Sequence, residues 1–100
     1  MSELYVGLYR DCLETWGIEA QLGMVQEECA ELIVAVNKMF RKGIRDPQSF
    51  ANFVEELADV EIMCREMREF PGVQEALLPV KLQKLERLKA RLKESKEKKS

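Results

Sequence analysis

Two acidic pairs with identical spacing are the residues of this sequence best suited to chemistry. The first pair is Glu28 and Glu31 in the stretch EECAEL, and the second is Glu56 and Asp59 in EELADV. Carboxylates three residues apart on a helix lie on one face with their Cβ atoms about 5–6 Å apart, so both can reach one ion. Two such helices packed antiparallel would bring four carboxylates into one pocket. Burying their charges together requires protons or cations.

Oxygen is the ligand type that this sequence offers a metal ion at these positions. The chain contains no histidine, which excludes His–Cys zinc sites, His-dependent catalytic triads and the Glu-x-x-His motif of di-iron bundles. Oxygen ligands suit Mg²⁺, or alternatively Mn²⁺, and Mg²⁺ favours sites that substrate phosphates complete. The pattern therefore predicts a Mg²⁺ site for a phosphorylated ligand. The competing interpretation is a solvated helix face, which is the commoner fate of a single acidic pair.

Four helical segments must position these acids. The stretches between glycines and prolines are too long, and too rich in Glu, Leu, Ala, Met and Lys, to be strands. We read RKGIRDPQS, residues 41–49, as the loop that reverses the chain, and we expect Pro79 to start or kink the main part of the last helix. The predicted helices cover residues 2–16, 18–41, 50–70 and 73 into the nineties.

Apolar residues at spacings of three and four predict which helix faces enter the core. On the second helix these residues are Ile18, Leu22, Val25, Cys29, Leu32, Val36 and Met39. On the third they are Phe50, Phe53, Val54, Leu57, Val60, Cys64 and Met67. We therefore predict an all-α, four-helix-bundle-like fold, with one domain over residues 1–94 and a frayed charged tail over 95–100. A chain of 100 residues buries only about two thirds of its unfolded surface, so we expect oligomerisation to complete the core.

Composition narrows the class of protein. Charged residues make up 34% of the chain but the net charge is −2, a balance that favours neither a nucleic-acid polymer as partner nor an acidic disordered chain. No run approaches the roughly 18 apolar residues of a membrane span. Three cysteines, an odd number at wide spacing, are best explained as reduced thiols. We expect a soluble cytoplasmic protein that does not bind membranes.

The acidic motifs resemble those of a known family. Glu28-x-x-Glu31, followed after 24 residues by Glu56-x-x-Asp59, is similar to the ExxE…ExxD signature of the MazG-like, all-α nucleoside triphosphate pyrophosphohydrolases. The resemblance covers the chain from about Trp16 to Leu92. It includes KLQKLERLKARL after the second motif, where this family commonly carries basic residues on its last helix.

The resemblance implies a fold, a reaction and an assembly. The fold is the MazG-type helical bundle, and the reaction is Mg²⁺-dependent hydrolysis of a nucleoside triphosphate between the α and β phosphates, giving the monophosphate and pyrophosphate. The four acids would hold the metal, and Glu28 or Glu31 would orient the attacking water as base. The family usually builds its sites from two subunits, so a homodimer or homotetramer follows. The biological role would be the removal of unwanted or surplus nucleotides.

Further residues are candidates for holding the nucleotide. Phosphates need cations beyond the metal. The best candidates are Lys81 and Lys84, three residues apart on the last helix, with Arg87 and Lys38 behind them. Lysines on a leucine-striped helix are also typical of a solvated face. For the base, Trp16 offers a flat apolar wall, and Gln21 lies two turns before Glu28 on the same flank. The competing interpretations are that Trp16 is a core residue, which a lone tryptophan at a helix joint favours, and that Gln21 is a surface amide.

Two other classes of function remain open at this level. The chain could be a non-catalytic helical bundle that serves as a dimerisation or adaptor module, with partly exposed acids that repel one another mildly. It could also be a degenerate member of the family that binds nucleotide for regulation without turnover. A stabilising effect of Mg²⁺ or Mn²⁺ separates the adaptor from the other two, since only a metal site responds.

Overall fold

The described part of the chain is entirely helical apart from short connections. The computed structural model describes residues 2–99, with side chains from Leu4 onward. Within this range the elements are a 3₁₀ helix Ser2–Tyr5 followed by α1 Val6–Trp16, α2 Ile18–Lys42, α3 Pro47–Met67 and α4 Val73–Lys99, with no strand. The prediction of an all-α fold with four main helices is confirmed. No helix in this range is long and apolar enough to cross a membrane.

The reversal between α2 and α3 is shorter than predicted. Gly43, at φ 98°, ends α2, and α3 already begins at Pro47. The cause is local. Asp46 is the N-cap of α3, and its carboxylate accepts hydrogen bonds from the Ser49 backbone N–H at 2.9 Å and from the Ser49 hydroxyl at 2.8 Å. Proline at the first helical position needs no N–H partner and has a helical φ. Most of the stretch predicted as loop therefore belongs to helices.

The chain divides into two compact units. The first extends to Phe70 and contains α1, α2 and α3, and the second begins at Pro71 and contains α4. Within the first unit the most extensive contact is between α2 and α3. In the second unit α4 continues through Pro79 and includes residues 95–99. The expectations of one domain over 1–94 and of a frayed tail concern folding and motion, and they stay predictions.

The predicted core seams are only partly correct. Leu22 and Phe50 are 50% and 53% exposed, and Val54, Cys29 and Cys64 are exposed as well. From Leu4 to Lys99 the buried apolar residues are Tyr9, Ala35 and Met63, and the buried polar ones are Gln21, Ser49 and Glu66. Polar residues thus share the inner face of the first unit.

The reason is the orientation of α2 and α3. Each helix turns one side of its apolar stripe, not the centre of the stripe, toward the other helix. At about 100° per residue, positions seven apart fall on nearly the same side of a helix. The half-buried Glu28 lies between Gln21 and Ala35 on one such line, and the half-buried Glu56 lies on another between two buried residues of α3. These lines face the neighbouring helix. Each apolar stripe is wider than one neighbour can cover, so its outer half stays exposed.

Charged groups join α1 to the C-terminal end of α3. Glu69 accepts from Arg10 Nε at 2.9 Å and from Arg65 Nη1 at 2.6 Å. The Arg65 guanidinium lies 5.4 Å from the centre of the Tyr9 ring on α1. The two arginines hold the pKa of the Glu69 carboxyl below its ordinary value, chiefly through these hydrogen bonds. A carboxylate shared by two helices in this way fixes the position of α1.

The N-cap of α3 provides a test of this local account. Replacing Asp46 with Ala removes both hydrogen bonds to Ser49, so we expect the thermal midpoint at pH 7 to fall by a few degrees. The matched variant Asp46→Asn keeps an acceptor and should lose less. Because the two hydrogen bonds lower the pKa of Asp46, its ionised form stabilises the fold above the unfolded pKa of about 3.9. The wild-type advantage should therefore shrink as the pH falls through the folded-state pKa. Equal midpoints for the three proteins at pH 7 would contradict the capping role.

Candidate metal centre

Three of the four predicted acids converge between α2 and α3. Glu28, Glu31 and Glu56 each place one carboxylate oxygen so that the three oxygens lie within 4.8 Å of one another. Glu28 and Glu56 are half-buried and Glu31 is exposed. The fourth acid, Asp59, lies outside this group of three, but its carboxyl group is within hydrogen-bonding reach of Glu28. Both acidic pairs therefore meet across one helix interface.

The two helices pair their acids in antiparallel order. Glu28 of α2 meets Asp59 of α3, while Glu31, further along α2, meets Glu56, which is earlier on α3. A hydrogen bond between two carboxyl groups forms only when one of them carries a proton. In the absence of cations, these contacts therefore bring like charges together unless protons are shared.

Burial and mutual repulsion change the protonation of the two half-buried acids. Burial raises the pKa of Glu28, and the charges of Asp59 and Glu31 raise it further. Burial also raises the pKa of Glu56, with a further increase from Glu31 and then Asp59. The same cause, confinement in one shared pocket, thus raises the pKa of one acid on each helix. A cation placed among these oxygens would reverse the effect by favouring the charged forms.

Two oxygen atoms of the cluster are buried without a hydrogen-bond partner. They are Oε2 of Glu28 and Oε2 of Glu56. Buried polar atoms are nearly always paired with protein groups, water or ions, so two orphan oxygens in one acidic pocket fit a site for a cation. The donor set is carboxylate oxygen throughout, which matches the preference of Mg²⁺ and Mn²⁺.

Glu28 and Glu56 lie on a different side of their helices from the glutamates next to them in sequence. Glu27 and Glu55 are exposed, because a step of one residue turns a helix by about 100°. Lys38 is exposed on α2, seven residues after Glu31. It therefore lies on the flank of Glu31, about 10 Å further along the helix axis. Its assignment to phosphate binding stays a prediction.

The two residues predicted to contact the base differ in their surroundings. Trp16, at the end of α1, is 62% exposed, which contradicts the alternative that it is a core residue. Gln21 is only 4% exposed, so it is not a surface amide. The orientation of its amide that satisfies its neighbours places the nitrogen 2.5 and 3.2 Å from the two Glu66 oxygens. A role of either residue in base binding stays a prediction.

The remaining predicted phosphate ligands belong to the second unit. Lys81, Lys84 and Arg87 lie on α4 and are exposed. Their spacing places cationic groups along the helix, as the sequence indicates. Their participation in the site stays a prediction.

Glu66 is the polar residue of this interface that sequence reasoning missed. It is 3% exposed, and burial raises the pKa of its carboxyl, an effect that a hydrogen bond with Cys12 of α1 partly offsets. The pKa of the Cys12 thiol is raised in turn, first by burial and then by the charge of Glu66. The available signal was heptad spacing: Glu66 follows Asp59 by seven residues, as Gln21 precedes Glu28 by seven.

Comparison with known proteins does not assign this chain to a family. No protein-family model, curated protein or solved structure matches the chain. The resemblance to the MazG-like enzymes therefore depends on the acidic motifs and on the helical frame that carries them.

Neutralising one acid should stabilise the protein when metal is absent. For Glu28→Gln and Glu56→Gln we expect a thermal midpoint above that of the wild type at pH 8 in the presence of a chelator, because each change removes a crowded charge. The matched variants Glu27→Gln and Glu55→Gln alter exposed neighbours and should leave the midpoint nearly unchanged. A midpoint that drops in the first two variants would show that these carboxylates stabilise the apo fold.

The pH dependence follows from the direction of the pKa shifts. The folded-state pKa values of Glu28 and Glu56 lie above their unfolded values. Ionisation of these two carboxyl groups should therefore subtract from wild-type stability as the pH rises from about 4.3, the unfolded pKa, through the folded pKa values. Each of the Glu28→Gln and Glu56→Gln variants lacks one of these contributions, so its stability relative to the wild type in denaturant titrations should increase over this range. Parallel pH profiles for wild type and variants would contradict the assigned shifts.

Proposed function

We propose that this protein is a Mg²⁺-dependent nucleoside triphosphate pyrophosphohydrolase that releases pyrophosphate and a nucleoside monophosphate. The observation that supports it best is the convergence of Glu28, Glu31 and Glu56 oxygens within 4.8 Å across two antiparallel helices. The orphan oxygens of Glu28 and Glu56 add to this support. The spacing of the motifs is that of the MazG-like family, and the biological role that follows is nucleotide-pool house-cleaning in the cytoplasm.

The division of work follows from the position of each acid. Glu28, Glu31, Glu56 and Asp59 would hold Mg²⁺, or Mn²⁺ in its place. When bound, the cation neutralises triphosphate charge and polarises the scissile phosphate, so no nucleophilic side chain is required. Glu28 and Glu31 are the candidates for orienting the attacking water. Glu31 is exposed and so reachable from solvent, whereas Glu28 is half-buried.

The nucleotide would extend from this cluster along the helices. Lys38 shares the flank of Glu31 and would contact phosphate oxygens as a compact positive charge. Trp16 presents an exposed indole for stacking on the base, and Gln21 would donate or accept a hydrogen bond at the base edge. The Glu66 contact of Gln21 means that the base would have to compete for that amide.

A non-catalytic adaptor is the second candidate function. The observation that favours it is the extent of exposed apolar surface, which includes Leu22, Ile33 and Phe40 along one stripe of α2, at 50%, 62% and 76% exposure. Such surface is typical of an interaction site. The same surface also suits an enzyme that assembles as a homodimer or homotetramer, so it does not by itself favour the adaptor. A regulatory module that binds nucleotide without turnover is the third candidate.

Pyrophosphate release tests the proposed reaction. We expect the wild type to release pyrophosphate from at least one of the eight common ribo- and deoxyribonucleoside triphosphates in the presence of Mg²⁺. The Glu56→Gln variant should lose this activity by at least about 100-fold, since it removes one ligand of the cluster. The matched variant Glu55→Gln should retain it. Absence of release from folded wild-type protein with every nucleotide would favour the adaptor, and binding without release would favour the regulatory module.

The oligomeric state is a separate expectation. Light scattering coupled to size-exclusion chromatography should give the mass of a dimer or tetramer for the wild type, because burial of the α2 stripe stabilises association. Ile33→Glu places a charge in that stripe and should shift the mass toward the monomer. Gln26→Glu, also exposed on α2, serves as the control. A monomeric wild type would contradict the expected assembly.

A further inference from the structure

A hydrogen-bonded pair lies at the same helix interface as the acid cluster. Gln21 of α2 and Glu66 of α3 are 4% and 3% exposed. With the Gln21 amide turned so that its nitrogen faces Glu66, that nitrogen lies 2.5 Å from one oxygen of Glu66 and 3.2 Å from the other. Neither residue belongs to the acidic motifs. Burying this carboxylate is costly unless donors satisfy it, so the pair must have a reason to persist.

The pair continues the register in which the acids meet. Gln21 precedes Glu28 by seven residues and Glu66 follows Asp59 by seven. On two antiparallel helices both offsets lead in the same direction, about 10 Å along the interface. The Gln21–Glu66 contact and the Glu28–Asp59 contact therefore follow one another along the same helix interface, in the same register.

Some of these contacts repel and one attracts. The contacts of Glu28 with Asp59 and of Glu31 with Glu56 join like charges, so without a cation they favour separation or sliding of the helices. Few apolar side chains are buried in the described range, so interdigitated apolar packing along the interface resists sliding only weakly. A slip of one residue would rotate each carboxylate by about 100° relative to its partner. The contact of Gln21 with Glu66 is directional and attractive, and it is satisfied only in the present register.

We infer that Gln21 and Glu66 are positioning residues that hold α2 and α3 in the register required for their four carboxylates to share one cation. Buried polar pairs are known to specify helix register at some cost in stability. α1 lies on a third side of the pair, where the Cys12 thiol is close enough to Glu66 to influence the pKa of its carboxyl. The inference deepens the proposed function and rests on it, since it concerns the same metal centre.

Mn²⁺ binding to the full chain, measured by isothermal titration calorimetry, tests the inference without reference to turnover. The disrupting variant is Gln21→Met with Glu66→Met, which replaces both side chains by apolar ones of similar length. The rescuing variant is Gln21→Glu with Glu66→Gln, which exchanges carboxylate and amide and so restores the hydrogen bonds. Gln26→Met with Glu55→Met is the matched control, because both of these positions are exposed.

We expect the disrupting variant to be folded, with a thermal midpoint near that of the wild type, since apolar replacement of a buried polar pair is often neutral. Its dissociation constant for Mn²⁺ should rise at least about tenfold, the usual effect of removing groups that orient metal ligands. The rescuing variant and the control should bind as the wild type does. If the methionine pair does not fold, Gln21→Leu with Glu66→Leu takes its place.

Three results would overturn the inference in distinguishable ways. Unchanged affinity in a folded disrupting variant would show that the register does not depend on this pair. Weak binding by the rescuing variant as well would assign the loss to disturbed packing, not to the missing hydrogen bonds. Absence of Mn²⁺ binding by the wild type would remove the proposed metal centre, and the inference would fall with it.

Discussion

The charge of four carboxylates at one helix interface is the constraint on which the rest of this structure depends. The inner faces of α2 and α3 carry Glu28 and Glu56 where a stable bundle would carry apolar side chains. The fold thereby gives up part of the hydrophobic stabilisation available to it, and it brings together groups that repel at neutral pH. A protein that only needed to fold would gain by replacing them. In the proposed function a cation would complete the arrangement and offset the repulsion.

Hydrogen bonds and ion pairs at the two ends of α3 organise the helix that carries Glu56 and Asp59. At one end Asp46 caps α3 through Ser49, and at the other Glu69 joins Arg10 and Arg65. These groups act at the ends of α3, where they do not compete with the acids for space. The apolar contribution is small, as few apolar side chains in the described range are buried. Local hydrogen bonds and ion pairs, each of modest strength, therefore contribute a large share of the interactions that hold these helices in place.

The same scarcity of buried apolar surface links the site to assembly. The stripe of Leu22, Ile33 and Phe40 faces away from the interface with α3, because the apolar arc of α2 extends beyond the width of one neighbour. A small domain with half of its apolar arc uncovered gains stability from association. In the proposed enzyme, association and cation binding would both supply stability that the isolated chain lacks.

Sequence reasoning succeeded where the periodicity of a single helix decides the outcome. The number of helices, the approximate bounds of α2, and the separation of Glu28 from Glu27 all follow from 3.6 residues per turn. The reasoning failed where the outcome depends on how one helix rotates against another. Cys29 and Phe50 looked like core residues because they lie on apolar stripes, but the contact between the helices is centred to one side of each stripe.

Two further features lay in the sequence but needed the structure to be recognised. Asp46 followed by Pro47 is a helix-start signal that outweighs the loop character of its surroundings. Gln21 and Glu66 repeat the acidic motifs at heptad spacing, yet an isolated glutamate on a charged helix gives no indication of burial. Pairing across an interface depends on register, and register is not visible within either helix alone.

Anomalous X-ray diffraction from crystals grown with Mn²⁺ tests the central claim most directly. The account predicts an anomalous difference peak coordinated by Glu28, Glu31, Glu56 and Asp59, with Gln21 and Glu66 still paired along the same interface. A folded protein in whose crystals the Mn²⁺ peaks lie elsewhere or are absent would contradict it.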